Sequence, residues 1–541
     1  MDERLAQDIL LRHDRLREAM RRERDAAGSA QGGGAPGDAA SARGGGGTFG
    51  SVGAPRDAAG NAQGGGKFGR ASGAALPASA YYAAAVAGVA VATGISGAAV
   101  GAAVGAAALV AAAAVAGVAE AKERRRASAG GALAGGTAAS GALASNTSDG
   151  NTAAGSASAG GGADALLLAC ASNMIYATGR MVNGYFYLPA DGGAPILFAK
   201  KPAGLGAEDF NGAIEVEYAA KPELMPGALA RKGRALPKRL LFEDEQIPCA
   251  EGARLAKVFP EALMLPGSAL MRRARSAKTS YEIGLLRISG ERMSKIFESL
   301  PALYRPGMTD LELSIALERE MRLSGDLAVI RSHGRHLEIP PGGSLLAGDN
   351  AAAPSPYDFA IGGAGLDPTV PVGANGAPLL EGQCLLVDLA GNFTGYMIDM
   401  SRAYSIGEPP EDALRAHAAA LGIQRAVALA AKPGAVCGDL YDMAMSIAAK
   451  SGYSKYFMGH AQQSRFIGHG VGLDLDELPV IALNSKSALE PGMAIALEPK
   501  FTLPGIGAVG TENTFLVTPD GLKALCAGND EITRLPPPAR G

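Results

Sequence analysis

Apolar residues near the start of the chain recur at Leu5, Ile9, Leu16 and Met20, a near-helical spacing that predicts one amphipathic helix over residues 1–27. The pattern then stops. Residues 28–162 are mostly Ala and Gly with Ser, and hold few aromatics or charges. Such side chains bury too little area to offset the entropy of ordering, so disorder or a compact helical hairpin is expected. The small-apolar run from Ala78 to Ala119 is long enough for a membrane span. Ala and Gly drive insertion weakly, and one crossing would separate the flanking helix and strand, so no span is expected.

Beyond this stretch, alternating and continuous apolar runs predict strands at Ala165–Cys170, Tyr185–Leu188, Ile196–Ala199 and Arg239–Glu243, with a turn at Asp191-Gly192-Gly193. A helix near Ala250–Val258 completes a small α/β domain over residues 163–277. Two long amphipathic helices follow. One spans roughly Ser280 to Leu300, and the next begins at Thr309 with Glu312 completing a capping box; Pro306-Gly307 separates them. Strands, helices near Ala413–Ala430 and Leu440–Lys450, and more strands run on to about residue 525, leaving 526–541 as a tail.

The chemistry lies in this second domain. Asp388 and Asp399 stand on two predicted strands either side of Ala390-Gly391-Asn392, and equal distance from that turn would place them face to face. Glu498 and Glu512 are equidistant from Gly505 on the strands Met493–Phe501 and Ala508–Val517. Like charges facing one another destabilise a sheet unless something neutralises them. His469 sits in Gly468-His469-Gly470, where small neighbours allow close approach to one imidazole. Four carboxylates and a neutral imidazole could neutralise two divalent ions sharing bridging carboxylates and a hydroxide. Oxygen-rich ligation with one nitrogen suits manganese, cobalt, iron or zinc.

Composition narrows the alternatives. The 541 residues carry a formal net charge of −3, with no basic run interleaved with aromatics, so no nucleic-acid partner is expected. Five cysteines without a CxxC pair suggest buried thiols in a reducing compartment. The start Met1-Asp2-Glu3-Arg4 lacks the basic-then-apolar order of a signal peptide, and a cytoplasmic protein is expected.

Four stretches carry a family resemblance: VDLAGNFTGYMIDMSR (Val387–Arg402), GHGVGLDLDELP (Gly468–Pro479), ALEPKF (Ala496–Phe501) and GTENTFLVT (Gly510–Thr518). Together they resemble the creatinase, prolidase and methionine aminopeptidase superfamily, the pita-bread metallopeptidases of family M24. The resemblance implies an α+β fold with a pita-bread catalytic domain over 278–525 and metal ligands Asp388, Asp399, His469, Glu498 and Glu512. ASNMIYATGR (Ala171–Arg180) is similar to the N-terminal domain of the aminopeptidase P and prolidase branch, and RHDRLREAM (Arg12–Met20) to that domain's first helix. Residues 28–162 would then be an insertion within it.

Two positions depart from the family pattern. Val372 stands where peptidases of the family carry a histidine after a proline, and Asp476 replaces a second histidine before Glu477-Leu478-Pro479. Those histidines contact substrate, and losing such help typically costs about 10²–10³ in rate. Asp476 and Val372 are therefore the candidate substrate-binding positions, with His460 and His333 as candidate substitutes for the missing imidazoles. The leading expectation is an Xaa-Pro aminopeptidase or dipeptidase with two divalent ions, in which Glu498 shuttles the proton. The alternatives are a pita-bread enzyme acting on a non-peptide small molecule and a non-catalytic metal-binding relative. A homodimer is implied by the resemblance alone.

Overall fold

The computed structural model describes residues 2–29, 162–333, 342–357 and 359–539. The Ala/Gly-rich stretch read as disorder or a hairpin lies outside them except at its ends. Among the described residues, no helix is long and apolar enough to cross a membrane.

The first helix, α1 (Glu3–Ser29), buries Ile9, Leu16 and Met20 while Leu10 and Leu11 face outward, as helical periodicity requires. Its buried face joins the core formed by Leu166 and Leu168 of β1 (Ala165–Leu168). Ala165 and Leu167 enter a separate core on the other side of that strand, so the continuous apolar run is buried on both faces. The strand ends at Leu168, two residues earlier than the apolar run predicts, because Cys170 begins α2 (Ala171–Thr178). The Glu243 carboxylate accepts from Cys170 N (2.8 Å), from Ala169 N and from Asn173 Nδ2 (2.6 Å), fixing the chain just before the helix and one side chain of its first turn.

Around β1 stand β2 (Asn183–Pro189), β3 (Ile196–Lys201), β4 (Glu215–Tyr218), β5 (Arg239–Phe242) and β6 (Leu263–Pro266), in the order β4-β3-β2-β1-β5-β6. The helices α3 (Met225–Arg231), α4 (Cys249–Val258) and α5 (Ser268–Ser276) complete this region. His13 of α1 bonds Ala177 O through Nε2 at 2.8 Å, and burial lowers its pKa from the usual 6.5 to about 4.

That shift has a pH consequence. Between pH 6.5 and 4 the unfolded chain binds the extra proton, so stability falls as the solution is acidified through this window. A loss of about 2 kcal/mol is expected between pH 7 and pH 5. Urea midpoints at the two pH values check this, and His13→Gln should shrink the difference. An unchanged difference would remove His13 from the account.

The second region opens on α6 (Ser280–Leu303) and α7 (Asp310–Leu323). Each has a complete capping box, Thr279 with Glu282 and Thr309 with Glu312. Next come β7 (Gly343–Ala347), β8 (Cys384–Asn392) and β9 (Met397–Ile406), then α8 (Glu411–Ala430) and α9 (Cys437–Lys450). The chain ends with β10 (Phe466–Gly470), β11 (Glu477–Ala482), β12 (Ala494–Leu497), β13 (Lys500–Leu503), β14 (Gly507–Gly510), β15 (Asn513–Thr518), β16 (Gly521–Ala524) and β17 (Thr533–Leu535). One sheet is ordered β11-β10-β12-β15-β16 and the other β13-β14-β7-β8-β9-β17.

A single long hairpin belongs to both sheets. Its outer part, β13 against β14, pairs Lys500 with Gly510, and its inner part, β12 against β15, pairs Leu497 with Asn513. The register is unbroken, but Glu498-Pro499 and Thr511-Glu512 form a bend between the two parts. Two predicted continuous strands are thus four short ones. Proline at 499 has no N–H for a ladder, which favours a break there.

Candidate metal centre

The five predicted ligands come from three hairpins. On β8 and β9, Asp388 pairs with Ser401 and Asp399 with Ala390, so the two aspartates are diagonal neighbours rather than directly opposed. The turn lies at residues 393–396, with Gly395 at φ +92°, and β8 runs on through the predicted turn Ala390-Gly391-Asn392. Moving the turn displaces the register by two residues, which keeps both acids on one face because side chains alternate with period two. The unbroken register of the long hairpin places Glu498 opposite Glu512 at the bend. His469 lies on β10, whose ladder to β12 pairs it with Ala496.

These side chains converge. Ligand atoms of Asp399, His469 and Glu512 lie within 4.8 Å of one another. His469 Nε2 is 3.5 Å from Glu498 Oε1 and 3.7 Å from Asp399 Oδ2. The other ring nitrogen, Nδ1, is 3.0 Å from Gly470 O; donation there leaves the Nε2 lone pair facing the acids, the tautomer a metal ligand requires. Glu512 Oε1 is buried and, among the described residues, has no hydrogen-bond partner. An orphaned carboxylate oxygen beside an available imidazole nitrogen is the donor set a divalent cation would satisfy.

Burial pushes the Asp399 carboxyl well above the usual carboxylate range, and Glu512 and Asp388 add to it by repulsion. Asp388 is also raised by burial, against the pull of Lys500. Behind the acids, Ser401 Oγ donates to Glu512 Oε2 (2.7 Å), and Thr514 Oγ1 accepts from Asp399 N (3.0 Å) and donates to Asp399 O (2.9 Å). Arg402 donates to the carbonyls of Ser401 and Glu512, both at 2.8 Å, tying β9 to the hairpin bend.

The residue that sequence reasoning missed is Lys500. Its Nζ lies 2.7 Å from Asp388 Oδ2, 2.8 Å from Glu498 Oε2 and 2.9 Å from Glu512 Oε2. Burial disfavours the charged amine, but the three acids outweigh it and hold its pKa well above the ordinary value. The signal was present in ALEPKF: a residue two positions from a ligand, in extended chain, shares its face.

The remaining candidates lie differently. Asp476 accepts from His333 N (2.8 Å) and Ser332 Oγ (3.1 Å), and its carboxyl is raised by burial. The His333 ring pairs with Glu245 Oε2 at 2.8 Å instead of entering the acid cluster. His460 is exposed, its ring centroid 5.4 Å from that of Tyr456. Val372 is buried, 3% exposed, in the loop where Asn350 Nδ2 holds Gly373 O at 3.0 Å.

Comparison with known proteins agrees with this architecture. Residues 284–519 match the model for metallopeptidase family M24, and residues 156–277 match that for the creatinase/prolidase N-terminal domain. The chain is 24% identical over 296 residues to the uncharacterized peptidase YqhT of Bacillus subtilis, covering 54% of this chain and 74% of that one. It is 28% identical over 253 residues to the probable dipeptidase PepE of Mycobacterium tuberculosis (strain H37Rv), covering 47% of this chain and 59% of PepE, under two-thirds of that protein. Among solved structures, the prolidase from Pyrococcus horikoshii OT3 superposes with a TM-score of 0.55 at 23% identity, over 68% of this chain and 95% of that one. The X-Pro aminopeptidase from Thermotoga maritima MSB8 gives 0.57 at 19% identity, over 69% and 96%. Residues 284–519 are thus a metallopeptidase family M24 domain behind a creatinase/prolidase N-terminal domain, in a fold shared with solved prolidase and X-Pro aminopeptidase structures.

Proposed function

We propose that this protein is a metal-dependent hydrolase that cleaves Xaa-Pro peptides, as an aminopeptidase or a dipeptidase. The observation that carries the reading is the convergence of Asp399, His469 and Glu512 within 4.8 Å around the orphaned Glu512 Oε1. A divalent ion held there, manganese, cobalt, iron or zinc by the donor chemistry, would supply Lewis acidity to a scissile carbonyl and would acidify water.

The chain's own groups have separable tasks. His469 is oriented by Gly470 O, and Glu512 is held by Ser401, so neither must reorganise when substrate arrives. Glu498, whose Oε1 faces His469, is positioned to take a proton from water at the site. Asp476, braced by the His333 amide and Ser332, is the group we assign to the substrate ammonium. Relatives named dipeptidase, prolidase and X-Pro aminopeptidase support a peptide substrate.

A second reading keeps the centre and changes the substrate to a non-peptide small molecule. It is favoured by the burial of Val372 and by the engagement of His333 with Glu245, which leave the two replaced histidines without a substitute among the described residues.

We assign residues 1–27 and 163–277 to one domain interrupted by 28–162, supported by the shared core of α1 and β1. A cytoplasmic homodimer is the proposed setting.

The test is hydrolysis of an Xaa-Pro panel by metal-stripped protein reloaded with each metal in turn, with Asp399→Asn as the blank. Restored cleavage that is absent from the blank is the expected result. Tight metal binding without cleavage would exclude the peptidase reading and favour the small-molecule one.

A further inference from the structure

The five acidic and imidazole side chains divide into two poles. Asp399, His469, Glu498 Oε1 and Glu512 Oε1 make the first. The second consists of Asp388 Oδ2, Glu498 Oε2 and Glu512 Oε2, and Lys500 Nζ fills it. Glu498 and Glu512 each present one oxygen to either pole, as carboxylates bridging two cations do.

We propose that the Lys500 ammonium takes the place of a second divalent ion, so that this chain binds one metal ion, at Asp399, His469, Glu498 and Glu512, opposite a fixed organic cation. The inference rests on the metal-dependent reading above and replaces the two-ion expectation drawn from the sequence.

Three observations support it. An ammonium has three donors, and Lys500 uses all of them on three carboxylate oxygens at 2.7–2.9 Å. A metal ion bonded to the same oxygens at about 2.1 Å would lie closer to Nζ than van der Waals contact, with both centres positive.

The lysine also has nowhere else to go. Its side chain is 1% exposed, and withdrawing the ammonium from the acids would leave a buried, unpaired charge.

The fold makes room for the stem. Lys500 is paired across the hairpin with Gly510, where an added Cβ would sit 2.8 Å from Lys500 Cα and 3.2 Å from Lys500 Cγ. Gly510 also adopts φ +147°, a conformation that side chains disfavour. With all its protons engaged, Lys500 is a positioning residue: it holds Glu498 and Glu512 so that their second oxygens face the metal pole.

The experiment counts ions per chain by elemental analysis after equilibration with manganese and gel filtration, on the full-length protein. One ion is expected in the wild type and two in Lys500→Met, where the second pole is vacated. The manganese electron paramagnetic resonance signal should change from that of an isolated ion to that of an exchange-coupled pair. Asp388→Asn, which touches only the lysine pole, should leave the count at one.

Two ions in the wild type, or one in a folded Lys500→Met, would overturn the inference while leaving a metal centre in place. No ion in any form would overturn the metal reading and this inference together. If Lys500→Met does not fold, the wild-type spectrum and the Asp388→Asn count decide: a coupled pair, or loss of an ion in Asp388→Asn, overturns it.

Discussion

Asp399→Asn is expected to abolish metal uptake and lower hydrolysis by about 10³-fold or more, while raising the thermal midpoint of the metal-free protein. The first part follows from geometry, since Asp399 is one of three donors within 4.8 Å and removing its charge dismantles the ion's pocket. A thousandfold loss corresponds to about 4 kcal/mol of transition-state stabilisation, within what a Lewis-acidic ion supplies.

The second part follows from electrostatics. Lys500 bonds Asp388, Glu498 and Glu512 but not Asp399, and burial together with repulsion from Glu512 and Asp388 outweighs the lysine's pull, so a charged Asp399 is unfavourable when no metal is present. Replacing it with the neutral isostere relieves that repulsion and leaves every lysine contact intact. Thermal unfolding with and without manganese checks both parts. At a hundredfold excess over Kd the wild type should gain about 2.7 kcal/mol, and the variant nothing. A metal-induced shift that survives in Asp399→Asn would refute the assignment of this ligand.

Arg275→Met should cost about 3–5 kcal/mol of folding stability, the range for removing one partner of a buried ion pair. Arg275, on α5, is 4% exposed; it reaches Asp474 Oδ2 at 2.6 Å, bonds Glu477, and donates to Asn173 Oδ1 at 2.9 Å. Lys278 Nζ holds the other Glu477 oxygen at 2.6 Å. Asp474 lies between β10 and β11 and Glu477 opens β11, on either side of Asp476, so the guanidinium anchors the chain that carries one candidate substrate contact.

Burial pushes the Glu477 carboxyl up, but Arg275 and Lys278 outweigh it and hold it at about 2. This folded-state value is below the unfolded one, so the stabilisation is fully present above pH 4.5 and is lost as pH falls toward 2. In Arg275→Met that acid dependence should flatten. Urea unfolding at pH 7 and pH 4 measures both effects, and a loss under about 1 kcal/mol at pH 7 would show that the network contributes little.

Much of the site was legible because extended chain has a strict period of two. Moving the β8–β9 turn changed which residues are directly opposed, yet Asp388 and Asp399 stayed on one face. The three-residue loop Pro504-Gly505-Ile506 set the register that places Glu498 opposite Glu512. Helix starts at Thr279 and Thr309 follow local chemistry, since a hydroxyl and a carboxylate three residues apart satisfy amides that no preceding turn can reach. The helix at Ala171–Thr178 was missed because the chain entering it is tied down by Glu243, which accepts from Cys170 N and is distant in sequence.

By itself, the sequence determined the faces of the strands, the capped helix starts, the two domains and which acids and imidazole gather at the site, because these depend on spacing, capping and patterning within short windows. Only the tertiary structure decided that the long hairpin bends between two sheets at Glu498 and Glu512, that Arg275 binds the segment after His469, and that Lys500 enters the acid cluster. Each brings together groups far apart in the chain, whose distances follow from packing and from the need to pair buried charge, which local pattern does not encode.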